Sequence, residues 1–320
     1  AEAGIQSGNY KMSNAKYSHS IGGKTIEITL TDWALQAAGA ILARLGDTMV
    51  LATAVMSPYG REGGDFFPLT VEYEEKYYAT GKILGSRFIK RETRPSEEAV
   101  LAGRAIDRSI RPRFDMRMRN EVQVVVTVLS IDDQNDPDTV ALLASSLALA
   151  ISDIPWQGPI AGVRIAKKGD EFIVNPTFEE RQAAELDVVI SGTKERVNML
   201  EAGASEVSEE AFAQAVETGF THIRELITFQ ESIVREHGQA KREVRLIEAP
   251  PELKKLLASD FGRRIEEALY QRDKKTANAS QTMARNEWLA RAEAAFPDLF
   301  NKAAAELAFD EAVNEIIHRR

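Results

Sequence analysis

Residues 140–151, Val-Ala-Leu-Leu-Ala-Ser-Ser-Leu-Ala-Leu-Ala-Ile, are apolar or small at every position. A helix on a protein surface keeps a polar stripe, so a helix apolar all round has to be enclosed by other elements. The pattern predicts a helix from about Pro137 to Ser152, opened by Asp136 or Asp138, whose carboxylate accepts the first free backbone N–H groups. A chain built on such a segment needs layers packed on more than one side of it.

The flanking sequence offers those layers as strands. Lys24–Leu30, Ala38–Leu45, Thr48–Met56 and Pro68–Glu75 are short, β-branched or alternating, and Gly46-Asp47 fits a tight turn between two of them. Further strands are predicted at Glu121–Ile131, Pro159–Lys168, Glu171–Pro176 and Glu185–Thr193. Ser96 followed by Glu97 and Glu98 opens a helix that Pro112 stops, and a long helix runs from Ser208 to about His237. Strands and helices mix without strict alternation, which makes the fold class α+β, a mixed sheet with packed helices. After the paired prolines Pro250 and Pro251 the chain is helical to its end, a small all-α domain. The expected organisation is an N-terminal extension, native or added, over residues 1–22, an α+β domain over 23–240, a linker over 241–250 and a helical domain over 251–320.

Several chemistries are excluded by residue type. With no cysteine there are no disulfides, thiolate metal sites or cysteine nucleophiles, and a reducing, cytoplasmic setting is expected. No run of about 18 uncharged apolar residues exists, and the polar start lacks the apolar core of a signal peptide, so neither a membrane span nor export is indicated. His19, His222, His237 and His318 stand far apart, outside any metal or triad spacing. Gly81 to Ser86 lacks the spacing of a phosphate loop, and Asp132 to Asp138 lacks the glycine and closing glutamate of a calcium loop.

A net charge of −9 argues on its own against a nucleic-acid partner. The average hides a local excess: residues 81–119 carry eleven cations, nine of them arginine, against five anions, leaving the rest of the chain at −15. Arg104, Arg108 and Arg111 are spaced four and three apart, on one helical face, with Ala102, Ile106 and Ile110 opposite them. Phe88 stands beside Lys90 and Arg91, the composition of a surface on which bases stack while phosphates are neutralised. The competing readings are a solvated arginine face paired to local carboxylates and a core position for Phe88.

From Gly63 to Phe114 (GGDFFPLTVEYEEKYYATGKILGSRFIKRETRPSEEAVLAGRAIDRSIRPRF), and again over Asn120–Ile165 and Asn175–Glu210, the chain resembles the polynucleotide phosphorylase family, namely its first RNase PH-like domain. The tail from about 250 is similar to the helical domain that follows in that family. The resemblance implies an RNase PH-like core and a 3′-to-5′ exoribonuclease that releases nucleoside diphosphates with inorganic phosphate as co-substrate and Mg²⁺ assisting. It implies a homotrimeric ring threading single-stranded RNA, with other RNA-degradation proteins as further partners. The family's Phe-Phe-Arg-Arg constriction loop is matched by Phe88-Ile89-Lys90-Arg91, with Ile89 in place of the second aromatic. Arg94, Arg104, Arg108 and Arg111 match basic positions that the resemblance assigns to the RNA path. The family's catalytic serines and metal-binding aspartates belong to a second core domain, so no catalytic residue and no metal ligand is expected here, and the chain reads as an amino-terminal portion. The alternatives are a non-catalytic RNase PH-like subunit of an exosome-type ring and a self-contained RNase PH-type enzyme, the latter opposed by the helical tail.

Overall fold

The computed structural model describes residues 14–61, 64, 66–82, 92 and 94–319. It divides into two compact units, the first made of residues 1–57, 69–115 and 121–243, the second of 58–68, 116–120 and 244–320.

The first unit holds two sheets. One has six strands in the order β1 (Lys16–Ile21), β2 (Lys24–Leu30), β3 (Gly39–Leu45), β4 (Thr48–Gly60), β6 (Asn120–Ser130) and β5 (Leu69–Glu75). β1 to β4 pair antiparallel in succession, whereas β5 pairs with β6 in parallel, so the sheet is mixed. The other has four strands in the order β10 (Val197–Ala204), β9 (Leu186–Gly192), β7 (Ala161–Lys168) and β8 (Glu171–Val174), all antiparallel. β1 arises from residues expected in an N-terminal extension, and β10 and the short helix α3 (Phe178–Gln182) from residues for which the sequence predicts no element.

Helices α1 (Glu97–Ile110) and α2 (Pro137–Ile151) reach from one sheet to the other. α1 packs on β5 and β10, and α2 on β3 and β7. Every residue of α2 except Asp138 is buried, as its uniform apolarity requires. Its N-cap is Asp136, whose carboxylate accepts the Asp138 N–H at 2.9 Å. The approach to β3 is close enough that a Cβ on Gly39 would run into the backbone oxygen of Ala148. On the four-stranded sheet, Leu142 of α2 lies against Gly162, while Gly219 of α4 (Glu209–His237) fits over Val163, Ile165 and Ile190 on the opposite pleat.

The β3–β4 turn forms at Gly46-Asp47, where Gly46 takes φ +62°. Asp132 holds this turn by accepting the Asp47 N–H at 2.8 Å, along with the backbone and side-chain amides of Asn135. Burial acts to raise its pKa, but these donors outweigh burial and hold the carboxyl at about 2.

The second unit is built on α5 (Pro251–Leu269), α6 (Lys274–Ala295) and α7 (Lys302–His318). Trp288 is its centre, fully buried, edge-on to Phe261 at 5.8 Å between ring centroids, with its indole N–H donated to Ala305 O at 2.9 Å. Ala304, Ala305 and Ala308 give α7 a shallow face that leaves room for that ring. Among the described residues no helix is long and apolar enough to cross a membrane.

Gly39→Ala is expected to lower stability by about 1–3 kcal/mol, because the new methyl group meets helix backbone and no flexible side chain can move away. Denaturant unfolding of the variant and wild type measures it.

Candidate nucleic-acid interface

Ser96 caps α1 by accepting the Ala99 N–H at 3.0 Å, and Glu97 and Glu98 occupy its first turn. Ala102, Ile106 and Ile110 are buried against the first unit's core, as their spacing predicts. Its C-terminal end is fixed through Ser109, whose hydroxyl meets Ser191 Oγ at 2.8 Å and whose carbonyl accepts from Asn198 at 2.8 Å. α1 is thus a rigid mount for its outer face.

That face presents Arg104 and Arg108, both exposed. Arg104 has no partner among the described residues, and Arg108 lies 3.9 Å from Glu201 with 57% of its side chain exposed, too loose for a strong pair. Arg94, just before the helix, is exposed. Arg111 behaves differently: its guanidinium grips Asp107 with two bonds of 2.9 and 2.7 Å and donates to Leu69 O at 3.1 Å. Phe88, Lys90 and Arg91 lie outside the described residues.

The basic strip counted in the sequence is therefore not one open surface. Arg113 donates to Gln157 O at 2.8 Å. In the second unit, Arg117 pairs with Glu248, and Arg119, 4% exposed, donates to the carbonyls of Gly64, Met116 and Met118 at 2.8–3.0 Å.

Local sequence patterns did not point to a buried polar cluster in the first unit. Arg164 of β7 bonds Asp136 at 2.9 Å and Asp187 at 2.9 Å, and Arg181 of α3 bonds the same two carboxylates at 2.9 and 3.1 Å. Asp138 lies 3.9 Å from Arg164 and accepts the Tyr73 hydroxyl at 3.0 Å. Although Asp138 as a residue is partly exposed, desolvation of its carboxyl within the cluster, then the neighbouring Asp136, push that carboxyl up to about 7. The signal that could have found the cluster is an arginine inside the apolar run AGVRIA, a position that must find carboxylates. Among the described residues no three His, Asp or Glu side chains converge to hold a metal ion. The carboxylates that do cluster are turned onto two guanidinium groups.

Two family models match the chain: the 3′ exoribonuclease family, domain 1, over residues 22–155, and the same family's domain 2 over residues 158–221. The chain belongs to the 3′ exoribonuclease family. Within this family it is similar to the polyribonucleotide nucleotidyltransferase of Heliobacterium modesticaldum, 46% identical over 263 residues, covering 82% of this chain and 37% of that protein. Its likeness to the Syntrophomonas wolfei enzyme of the same name is 41% over 304 residues, covering 95% of this chain and 43% of the other. The chain thus spans about two fifths of the length of these curated relatives. The family fold recurs in a solved structure described as the Archaeoglobus fulgidus exosome with RNA bound to the active site (TM-score 0.51, 20% identity, 65% of this chain and 87% of that one). It recurs in rice (Oryza sativa) Rrp46 (TM-score 0.53, 17% identity, 65% and 94%). At these identities the likeness establishes the RNase PH-like fold.

Since Asp138 titrates higher folded than unfolded, its contribution to stability is complete below about 3.8 and is lost as pH rises through about 7. Asp138→Asn keeps a neutral group there, so its stability relative to wild type is expected to improve between pH 4 and pH 8. Denaturant titrations across that range would show the trend, and a pH-independent difference would refute it.

Proposed function

We propose that this chain provides the surface along which single-stranded RNA approaches the reaction centre of a polyribonucleotide nucleotidyltransferase. Such an enzyme shortens RNA from its 3′ end: inorganic phosphate attacks the terminal phosphodiester and a nucleoside diphosphate leaves. The observation that carries the reading is the outer face of α1, where Arg104 and Arg108 are exposed on a helix anchored by Ala102, Ile106 and Ile110. Arginine's planar fork suits phosphate oxygens, and neither residue is held by a close ion pair among the described residues. Arg94 continues the surface, and Phe88, Lys90 and Arg91 are assigned to it from the sequence. Arg111 enters as a positioning residue that ties the end of α1 to β5.

The names of the relatives support the activity, and those relatives are more than twice as long as the span they share with this chain. The proposal assigns phosphate activation and Mg²⁺ to the unshared part. The carboxylates described here do not fit a divalent cation, since Asp136 and Asp187 each bond Arg164 and Arg181. Assembly as a homotrimeric ring, association with other RNA-degradation proteins and a cytoplasmic location belong to the same proposal.

A second reading, a non-catalytic subunit of an exosome-type ring, draws on the shared fold alone, which covers 87% and 86% of two solved archaeal exosome chains. Both readings use the same arginines.

Arg104→Ala and Arg108→Ala are each expected to weaken binding of single-stranded oligonucleotides of any sequence and to reduce the salt slope of affinity by about 0.7 for each phosphate the protein no longer neutralises. Unchanged slopes would remove these residues from the path. Given oligoadenylate, phosphate and Mg²⁺, residues 1–320 alone are expected to release no ADP, and steady release would overturn the assignment of chemistry elsewhere.

A further inference from the structure

We infer that the cavity at the root of the basic segment is a nucleotide subsite, in which a base lies against the Tyr77 ring while Lys82 and Arg94 hold its phosphate. The inference rests on the RNA-binding reading above and adds to it a site, an aromatic and a cation.

The cavity measures about 600 Å³. Its apolar lining comes from Tyr73, Tyr77, Pro95 and Ile131, and Lys82 and Arg94 also border it. Tyr73 is 4% exposed and its hydroxyl is committed to Asp138, so it serves as floor. Tyr77 is 38% exposed, which leaves ring surface available to a ligand.

The ring is held on a fixed support. Tyr77 opens a 3-10 turn, Tyr77–Thr80, closed by Gly81 at φ +69° with its N–H on Tyr78 O at 2.9 Å. The buried Ala79 accepts the Ile131 N–H at 2.8 Å, which ties the turn to the end of β6. Glu92 receives the Tyr77 N–H at 2.7 Å. A platform held this way loses little freedom when a base stacks on it.

Three carboxylates share the cavity wall, and each is occupied. Glu74 pairs with Lys76 at 2.6 Å, Glu75 accepts the Ser96 hydroxyl at 2.9 Å, and Glu92 accepts the Tyr77 N–H. Lys82 and Arg94 are both exposed, and neither has a partner among the described residues. An available aromatic flanked by unpaired cations suits a unit that carries both a π-face and a phosphate. That chemistry is shared by a residue of single-stranded RNA and by a free nucleoside diphosphate.

The test uses the full 320-residue chain with two labelled probes, oligoadenylate and ADP, and affinities read across a salt series. Tyr77→Ala is expected to weaken the bound probe about 5- to 150-fold, and Tyr77→Phe, which keeps the ring, to bind like wild type. Lys82→Gln and Arg94→Gln are each expected to reduce the salt slope by about 0.7. Sensitivity with oligoadenylate alone identifies the occupant as RNA, and sensitivity with ADP as well admits the free nucleotide; either outcome supports the subsite. Should Tyr77→Ala fail to fold, the two exposed cations carry the test. Wild-type behaviour in all three variants, with Arg104→Ala and Arg108→Ala still weakened, overturns the subsite and leaves the α1 surface standing. No binding of either probe by the wild-type chain overturns both.

Discussion

Enclosing α2 cuts its ends and its buried hydroxyls off from water, and the first unit supplies partners for the ends and for Ser146, while the buried Ser145 hydroxyl has no partner among the described residues. At its start, Asp136 caps the helix. In its middle, Ser146 donates to Gln230 of α4 at 2.8 Å and accepts the Ile160 N–H at 3.0 Å, while Gln230 donates to Ile160 O at 2.7 Å. At its end, the Lys241 ammonium sits on the carbonyls of Leu149, Ala150 and Ser152 at 2.7–3.0 Å. Burial lowers the Lys241 pKa to about 8 against the opposing pull of the Asp153 carboxylate, while the three carbonyls accept the ammonium's hydrogen bonds. Residues beyond α4 that read as a simple connection thereby become part of the core's hydrogen bonding.

The distribution of charge follows the same logic of partners. Arginine is equally charged at Arg104 and Arg119, yet one is exposed and the other donates to three backbone carbonyls. A charge count over residues 81–119 locates the region where cations concentrate but does not separate those that support the backbone from those that face water. Hydrogen-bond partners make that separation, and they reduce the open α1 surface to Arg104 and Arg108. The buried cluster around Arg164 shows the reverse case, in which acidic residues that suggest a site are consumed in joining β7, β9, α2 and α3.

Elements with strong periodicity or clear caps were legible in the sequence: α2 from its uniform apolarity, α1 from Ser96 and Pro112, and the β3–β4 turn from Gly46-Asp47. β1 was not, because only Ile21 of its six residues is buried and it lies at a sheet edge, where an apolar alternation is not demanded. β10 was missed for a related reason, since five of its eight residues are exposed. The arginine face of α1 was legible because helical spacing is local. The Arg164 cluster and the Tyr77 cavity depend on residues far apart in the chain, and no local pattern contains that information.

β5 and β6 run in parallel. A parallel pair cannot be closed by a tight turn, so the chain has to leave the sheet after Glu75 and travel before re-entering at Asn120. Tyr77, Lys82, Arg94, Arg104 and Arg108 all belong to that obligatory excursion. Topology therefore separates two kinds of evolutionary freedom in one molecule. Strand register is fixed by the pairing partners and the inner face of α1 by the core, while the outward side chains of the excursion can change chemistry without moving a rung of the ladder.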